Sequence, residues 1–364
     1  MPKRLTEQDL KALEIGAAVL GTGGGGNPYV GRLRSRELLR QGKHIDIIGL
    51  DELDDDALVV SVGGIGAPVI GVEKIEKGDE CYRALKAIER TTGKTIDALI
   101  PAEIGGANSM EPMITGAQSG LPIVDADGMG RAFPEMQMCT YFIYGHEPSP
   151  AALADEKGNT VVLQHVNDMY WLERLARTVA VDMGAAAGYA DAPMSGAFLK
   201  KYAIPDTVSA AIGIGEAVLQ ARSERRNPID AIVARTHGKR AFEGKVVDVR
   251  RHIQGGFARG HAELEGTDHD RGKTARIDIQ NENLILTIDG HAAAVVPDLI
   301  MLLDQDTGEP ITTEVLRFGM RATAIVMPAH PLLRTPEALN VVGPEAFGYP
   351  DVTYVPLERG VAHA

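Results

Sequence analysis

The sequence predicts an α/β three-layer N-terminal domain with a mainly parallel sheet, followed by a smaller all-β, barrel-like C-terminal domain. Three observations predict it. At 364 residues the chain is long enough for two domains. Between residues 45 and 235, short apolar runs alternate with amphipathic stretches, the pattern of strands joined by crossover helices. Beyond Gly238 the apolar period changes to two, with Gly- or Asp-rich turns between short runs. Such strands would protect their edges by closing into a barrel. The expected domains are 1–238 and 239–335, with 336–364 returning to complete the first.

Taken in order, Thr6 and Asp9 form a capping box ahead of an apolar helical stripe through Leu10, Leu13, Ile15, Ala17 and Leu20. That helix must stop at the run Gly21-Thr22-Gly23-Gly24-Gly25-Gly26. Asn27 and Pro28 then suit the N-cap and first position of a second helix reaching about Gln41. Strands are expected at 45–48, 58–62, 96–101, 121–124 and 160–165. Helices are expected at 80–91, 111–120, 168–183, 207–225 and 228–235. The second domain should hold strands at 245–250, 256–264, 274–279, 283–288, 299–303 and 322–327.

Composition narrows the partners. Hydrophobic residues make up 44% and charged residues 24%, enough apolar content for a folded core. A net charge of −13 repels phosphate backbones and anionic lipid, and aromatics at 5% leave little to stack on bases, so neither nucleic acid nor membrane is an expected partner. Two cysteines, Cys81 and Cys139, cannot build a disulfide framework or a thiolate zinc cage, and should sit reduced and buried. Glu7, Asp9 and Glu14 fall where a signal peptide needs its apolar core, which points to a cytoplasmic protein.

The acids fall at strand ends, where open α/β sheets bind ligands. Glu103 and Asn108 follow the strand at 96–101, in a loop bent by Gly105 and Gly106. Asp125, Asp127 and Arg131 follow the strand at 121–124. The loop at 62–68, containing Gly64, ends a third strand with backbone that a ligand can approach. Crowded carboxyls push one another's pKa apart and so divide into acid and base. Asn108 and glycine-loop amides can hold a developing anion, and Arg131 or the helix start at Asn27 a substrate carboxylate. Gly24 and Gly25 join this list as a backbone surface for an anion. The run is neither a Rossmann loop, because a helix precedes it, nor a P-loop, because Asn27-Pro28 replaces Lys-Ser/Thr. No cofactor motif is present. A divalent metal on the acids, with His146 or His165, stays open, whereas His252, His261 and His269 suit solvated turns.

Three segments together resemble the S-methyl thiohydantoin desulfurase-like family. They are Gly21-Thr22-Gly23-Gly24-Gly25-Gly26-Asn27-Pro28-Tyr29, Glu103-Ile104-Gly105-Gly106-Ala107-Asn108 and Asp125-Ala126-Asp127-Gly128-Met129-Gly130-Arg131-Ala132-Phe133-Pro134-Glu135. The resemblance extends to Phe242-Glu243-Gly244-Lys245-Val246 and Gly343-Pro344-Glu345-Ala346-Phe347-Gly348-Tyr349. It implies an α/β domain before a β-rich one, and hydrolysis of an S-methylated thiohydantoin to the hydantoin with release of methanethiol. It also implies a setting beside hydantoin-utilisation enzymes.

The residues suit that chemistry. Asp125 or Asp127 would activate water, Glu103 would protonate the ring nitrogen or leaving sulfur, Asn108 would orient the ring, and Arg131 would hold an acidic arm. Two other readings stand beside it: hydrolysis of an unmodified cyclic amide, and a non-catalytic ligand-binding or accessory subunit of a hydantoin-utilisation complex. Self-association and pathway partners are both compatible with the sequence. The whole reading requires Glu103, Asp125 and Asp127 to share one pocket.

Overall fold

The structure is a computed structural model and describes residues 2–66, 74, 76–254 and 257–358. Ala67 and Pro68 of the expected glycine loop, and Gly256 of an expected strand, lie outside them. The first eleven strands are β1 (Lys3–Arg4), β2 (Asp46–Ile48), β3 (Leu58–Gly66), β4 (Ala98–Pro101), β5 (Ile123–Val124), β6 (Ala126–Asp127), β7 (Ala151–Ala154), β8 (Thr160–Leu163), β9 (Ala186–Ala190), β10 (Met194–Ser195) and β11 (Ile204–Pro205). The main sheet runs β1-β2-β5-β4-β3-β9-β7-β8, with β10 added beside β3, while β6 and β11 pair separately.

This sheet is mixed, which corrects the expectation of a mainly parallel one. Only β2, β5, β4 and β3 run parallel. β1, β10, β9, β7 and β8 all join antiparallel. The two strands that change its character, β7 and β9, read Ala-Ala-Leu-Ala and Ala-Ala-Gly-Tyr-Ala, with none of the β-branched residues that mark a strand. Small residues are needed there. A Cβ on Gly188 would lie 2.5 Å from the backbone nitrogen of Cys81, where the helix Glu80–Thr92 crosses the strand.

Alternate strand residues serve opposite faces. Val60, Val62 and Leu99 pack with Leu85 and Ile88 of the helix Glu80–Thr92 and with Met113 of the helix Glu111–Ser119. Val59, Ala98 and Ile100 pack on the other side with Leu172 and Ala176 of the helix Met169–Asp182. The first helix, Glu7–Leu20, carries the Thr6/Asp9 capping box, and Asn27 Oδ1 accepts the Tyr29 N–H at 2.9 Å as the second helix, Tyr29–Arg40, begins. Both cysteines are free and buried. Among the described residues no helix is long and apolar enough to cross a membrane.

The second sheet is antiparallel and seven-stranded. Its members are β12 (Lys239–Gln254), β13 (Phe257–Gly266), β14 (Thr274–Gln280), β15 (Glu282–Ile288), β16 (His291–Val295), β17 (Leu299–Asp304) and β18 (Arg321–Met327), in the order β16-β15-β14-β13-β12-β18-β17. It is a half-barrel: β16 and β17 end the sheet without a ladder between them. The physical reason is that both faces are apolar. Ile300, Leu302, Ala322 and Ala324 fill the sheet's own interior with Phe242 and Leu264. Leu299, Met301, Leu303, Ile325 and Met327 join the core of the first domain instead. The chain then returns to the first domain, where Phe347 stacks on Phe133 at 6.5 Å and the Tyr144 hydroxyl donates to the Leu332 carbonyl at 2.6 Å.

Candidate functional site

A cavity of about 570 Å³ opens where the carboxyl ends of β3 and β4, the glycine run and the β14–β15 turn converge. That volume suits a small organic ligand. Of the residues expected at a site, Glu103, Asn108, Gly25, Asn27 and Gly64 line it. Gly24, Gly105 and Gly106 shape its wall from behind. A Cβ on Gly105 would meet the Ala132 backbone nitrogen at 2.4 Å, and Gly106 has φ +74° and backs directly on Gly25.

Glu103 is fixed by its own loop. Oε1 accepts from Asn108 Nδ2 at 2.7 Å, and Oε2 accepts the Phe133 N–H at 3.2 Å. Asn108 is fixed in turn: its Oδ1 accepts the Gly64 N–H at 2.6 Å and its Nδ2 also donates to the Gly64 carbonyl at 3.1 Å. Both amide hydrogens of Asn108 are therefore committed, and it acts as a latch between two strand ends. Burial raises the Glu103 pKa to about 8, against the lowering effect of the two donors.

Foremost among the cavity residues that sequence reading missed is Glu282. Gln280-Asn281-Glu282-Asn283 looks like a polar hairpin turn, and short polar clusters between strands ordinarily face water. Here all four are buried. The glycine run explains why. The carbonyls of Thr22 and Gly23 accept the N–H groups of Asn283 and Thr313 at 2.8 and 2.7 Å, and the Gly25 carbonyl accepts from Ala107 at 2.8 Å. The run is thus a seam between the two domains. Any side chain on Gly24 would overlap the Glu282 carboxyl, so glycine at 24 is what lets Glu282 reach the cavity. The Glu282 pKa rises to about 8, first by burial and then by the Glu103 charge, and its buried Oε2 has no hydrogen-bond partner among the described residues.

The other expected acids lie elsewhere. Asp127 is fully buried and does not line the cavity; its carboxylate accepts the N–H groups of Ile104 at 2.8 Å, Met129 at 3.1 Å and Gly130 at 2.8 Å. Asp125 caps the helix Thr207–Ser223 from outside, accepting the Ser209 N–H at 3.0 Å and its hydroxyl. So the three expected carboxylates do not share one pocket: loop-closing turns consume two of them. Arg131 is also occupied. Its guanidinium donates to the carbonyls of Ala132, Pro297, Asp298 and Asn283 and to Thr22 Oγ1, which uses all five N–H groups. Burial lowers its pKa to about 10, opposed by the charges of Glu282, Asp298 and Glu103. It clamps the seam and leaves nothing for a substrate carboxylate.

Glu111 and Asp191 also line the cavity, and burial raises both, Glu111 to about 7. The lining cations are committed to protein partners: Arg34 to Glu76 at 2.6 Å, Lys74 to Glu156 at 2.7 Å and two carbonyls, and Arg177 to Glu173 and the Pro134 carbonyl. Among the described residues no group of three or more His, Cys, Asp or Glu is arranged to hold a metal ion. His146 lies outside the lining, stacked on Phe142 at 5.2 Å, where burial lowers its pKa to about 4, and His165 is exposed.

Family models also divide the chain in two, but at a different point from the two sheets. Residues 8–165 match the family model described as S-Me-THD-like, N-terminal domain, and residues 167–357 match the S-Me-THD-like, C-terminal domain. The division at 165–167 precedes β9 and β10, so the second segment contributes two strands to the first sheet. A crystal structure of a protein from Chromobacterium violaceum is similar at 23% identity, with a TM-score of 0.80, covering 98% of this chain and 100% of its own. That likeness speaks for the fold alone. No curated protein sequence matches.

Proposed function

Because the chain belongs to the S-Me-THD-like family, we propose that it hydrolyses a small cyclic amide-type substrate, an S-methyl thiohydantoin, to the hydantoin and methanethiol. One observation carries the reading. Two buried carboxyls, Glu103 from the first domain and Glu282 from the second, line one cavity with pKa values raised toward the working pH. Such a pair divides naturally into base and acid. The donors on Glu103 favour charge there, so it takes a proton from water. Glu282, with no donor on its free oxygen, keeps its proton.

The substrate carbon bears the S-methyl group between two ring nitrogens. Water adds to it as its proton passes to Glu103, and the electron pair of the C=N bond moves to the ring nitrogen. The C–S bond then breaks as the carbonyl forms, and the hydroxyl proton of the adduct passes to that ring nitrogen. The departing sulfur takes a proton from Glu282, giving methanethiol. One water is consumed, and the proton on Glu103 restores Glu282 through solvent. The thiolate is a competent leaving group, so modest acid help suffices.

The test is direct. The purified full chain is mixed with S-methyl thiohydantoin, and free thiol is followed with a colorimetric thiol reagent. Turnover that falls at least 100-fold in Glu103→Gln supports the reading. No thiol release by the wild-type protein at any pH from 6 to 9, with or without added divalent metal, overturns it.

A further inference from the structure

The cavity has a second polar wall that this chemistry leaves unused. In the β3–β9 ladder Gly63 faces Tyr189 and Val62 faces Ala190, so the next rung sets Ser61 beside Asp191. Alternate strand residues share a face, which places Ser61, Gly63, Tyr189 and Asp191 on the same side of the sheet. All four line the cavity. The backbone N–H of Ser61 donates to Asp191 Oδ1 at 3.0 Å and the Asp191 N–H returns to the Ser61 carbonyl at 3.2 Å, so this rung is rigid.

Two hydroxyls on this wall have no partner among the described residues. Ser61 Oγ and Tyr189 Oη are both buried and make no hydrogen bond to any of them. Buried hydroxyls without partners are costly and uncommon, and two on one cavity wall call for a ligand. Gly63 adds no side chain of its own, and the Asn108 amide lies over it, with Oδ1 3.4 Å from where a Cβ would stand. The cations on the cavity are already paired, so the wall is not built for an anion. It suits a neutral group that offers a carbonyl and an N–H side by side.

We propose that Ser61, Tyr189 and Asp191 form a recognition subsite for the amide edge of a cyclic ureide or imide ring, holding the ring while its reacting carbon faces Glu103 and Glu282. This rests on the hydrolase reading for the second half of the statement only. Burial raises the Asp191 carboxyl well above the usual carboxylate range, against the lowering effect of the Ser61 N–H, and so favours the protonated form. A neutral carboxyl shows one donor and one acceptor together, the complement of a cis-amide edge. The Ser61 and Tyr189 hydroxyls supply the remaining donors to ring oxygen.

Calorimetric titration of the full chain with hydantoin, and separately with N-methylated hydantoin, tests the assignment. Hydantoin should bind the wild type, and blocking the ring N–H should weaken it at least 10-fold. Tyr189→Phe and Ser61→Ala should each weaken hydantoin about 5- to 50-fold with the melting temperature retained. Asp191→Asn presents the same donor and acceptor and should stay within about threefold, whereas Asp191→Leu should lose binding. Equal hydantoin affinity in wild type and the Ser61→Ala/Tyr189→Phe double variant overturns the subsite, even where Glu103-dependent thiol release is seen. Hydantoin binding that depends on these residues, in a protein that releases no thiol, upholds the subsite and overturns the hydrolase reading.

Discussion

Two pairs of buried acids, Asp125 with Asp127 and Glu103 with Glu282, have opposite hydrogen-bond accounts. The aspartates are spent: backbone amides at Ile104, Met129, Gly130 and Ser209 and the Ser209 hydroxyl occupy their oxygens. The glutamates are under-supplied. Glu103 has two donors, and Glu282 leaves one oxygen with none. Burial alone does not mark a reactive carboxyl, since Asp127 is the more deeply buried of the two loop acids. What separates the pairs is whether hydrogen-bond capacity is left over facing a cavity.

The comparison can be broken by substitution. The largest effect is expected at the glutamates. Glu103→Gln and Glu282→Gln should each lower kcat for thiol release by about 10²- to 10⁴-fold, the range of a lost general acid or base, with unchanged circular dichroism. Asp127→Asn comes next and should act on stability instead. It turns an amide donor toward three backbone donors and should cost about 1–3 kcal/mol in denaturant unfolding, with KM unchanged in the folded fraction. A large kcat loss there at full stability would return Asp127 to the chemistry. Asp125→Ala removes a helix cap and should cost about 1 kcal/mol.

pH sharpens the same contrast. Glu103 must lose its proton to act as base, so kcat/KM should rise with pH toward about 8 and fall above it as Glu282 loses its own proton. Stability runs the other way. A carboxyl whose folded pKa lies above its unfolded value makes the fold bind more protons, so stability falls as pH rises from about 4.5 through about 8. Glu103→Gln should remove part of that loss and melt roughly 1–3 °C above wild type at pH 9, with a smaller gap at pH 5. An unchanged difference across that interval would mean Glu103 is not the group that titrates.

Sequence patterning carried the local features well. The Thr6/Asp9 cap, the Asn27 turn and the parallel strands β3, β4 and β5 are visible because capping chemistry and Val/Ile-rich runs are local signals. The Glu103–Asn108 loop was legible because it follows a strand end. β7 and β9 were not, since helix packing demands alanine and glycine there and erases the strand signature. Glu282 was hidden for a different reason. A turn that would face solvent in an isolated sheet is covered by the other domain, a long-range fact that no window of sequence contains. Arg131 was misread in kind: its position after the acids suggested a ligand contact, and its five donors instead tie residues far apart in the chain.

The seam at Thr22, Gly23 and Gly24 has a consequence for how this molecule comes into being. A growing chain completes Glu103 long before Glu282 is synthesised, and a half-made protein would hold one member of the pair with nothing opposite it. On the proposed chemistry, competence would arrive only when the late hairpin is delivered against the early glycines, and a truncated or misdocked product would be silent rather than errant.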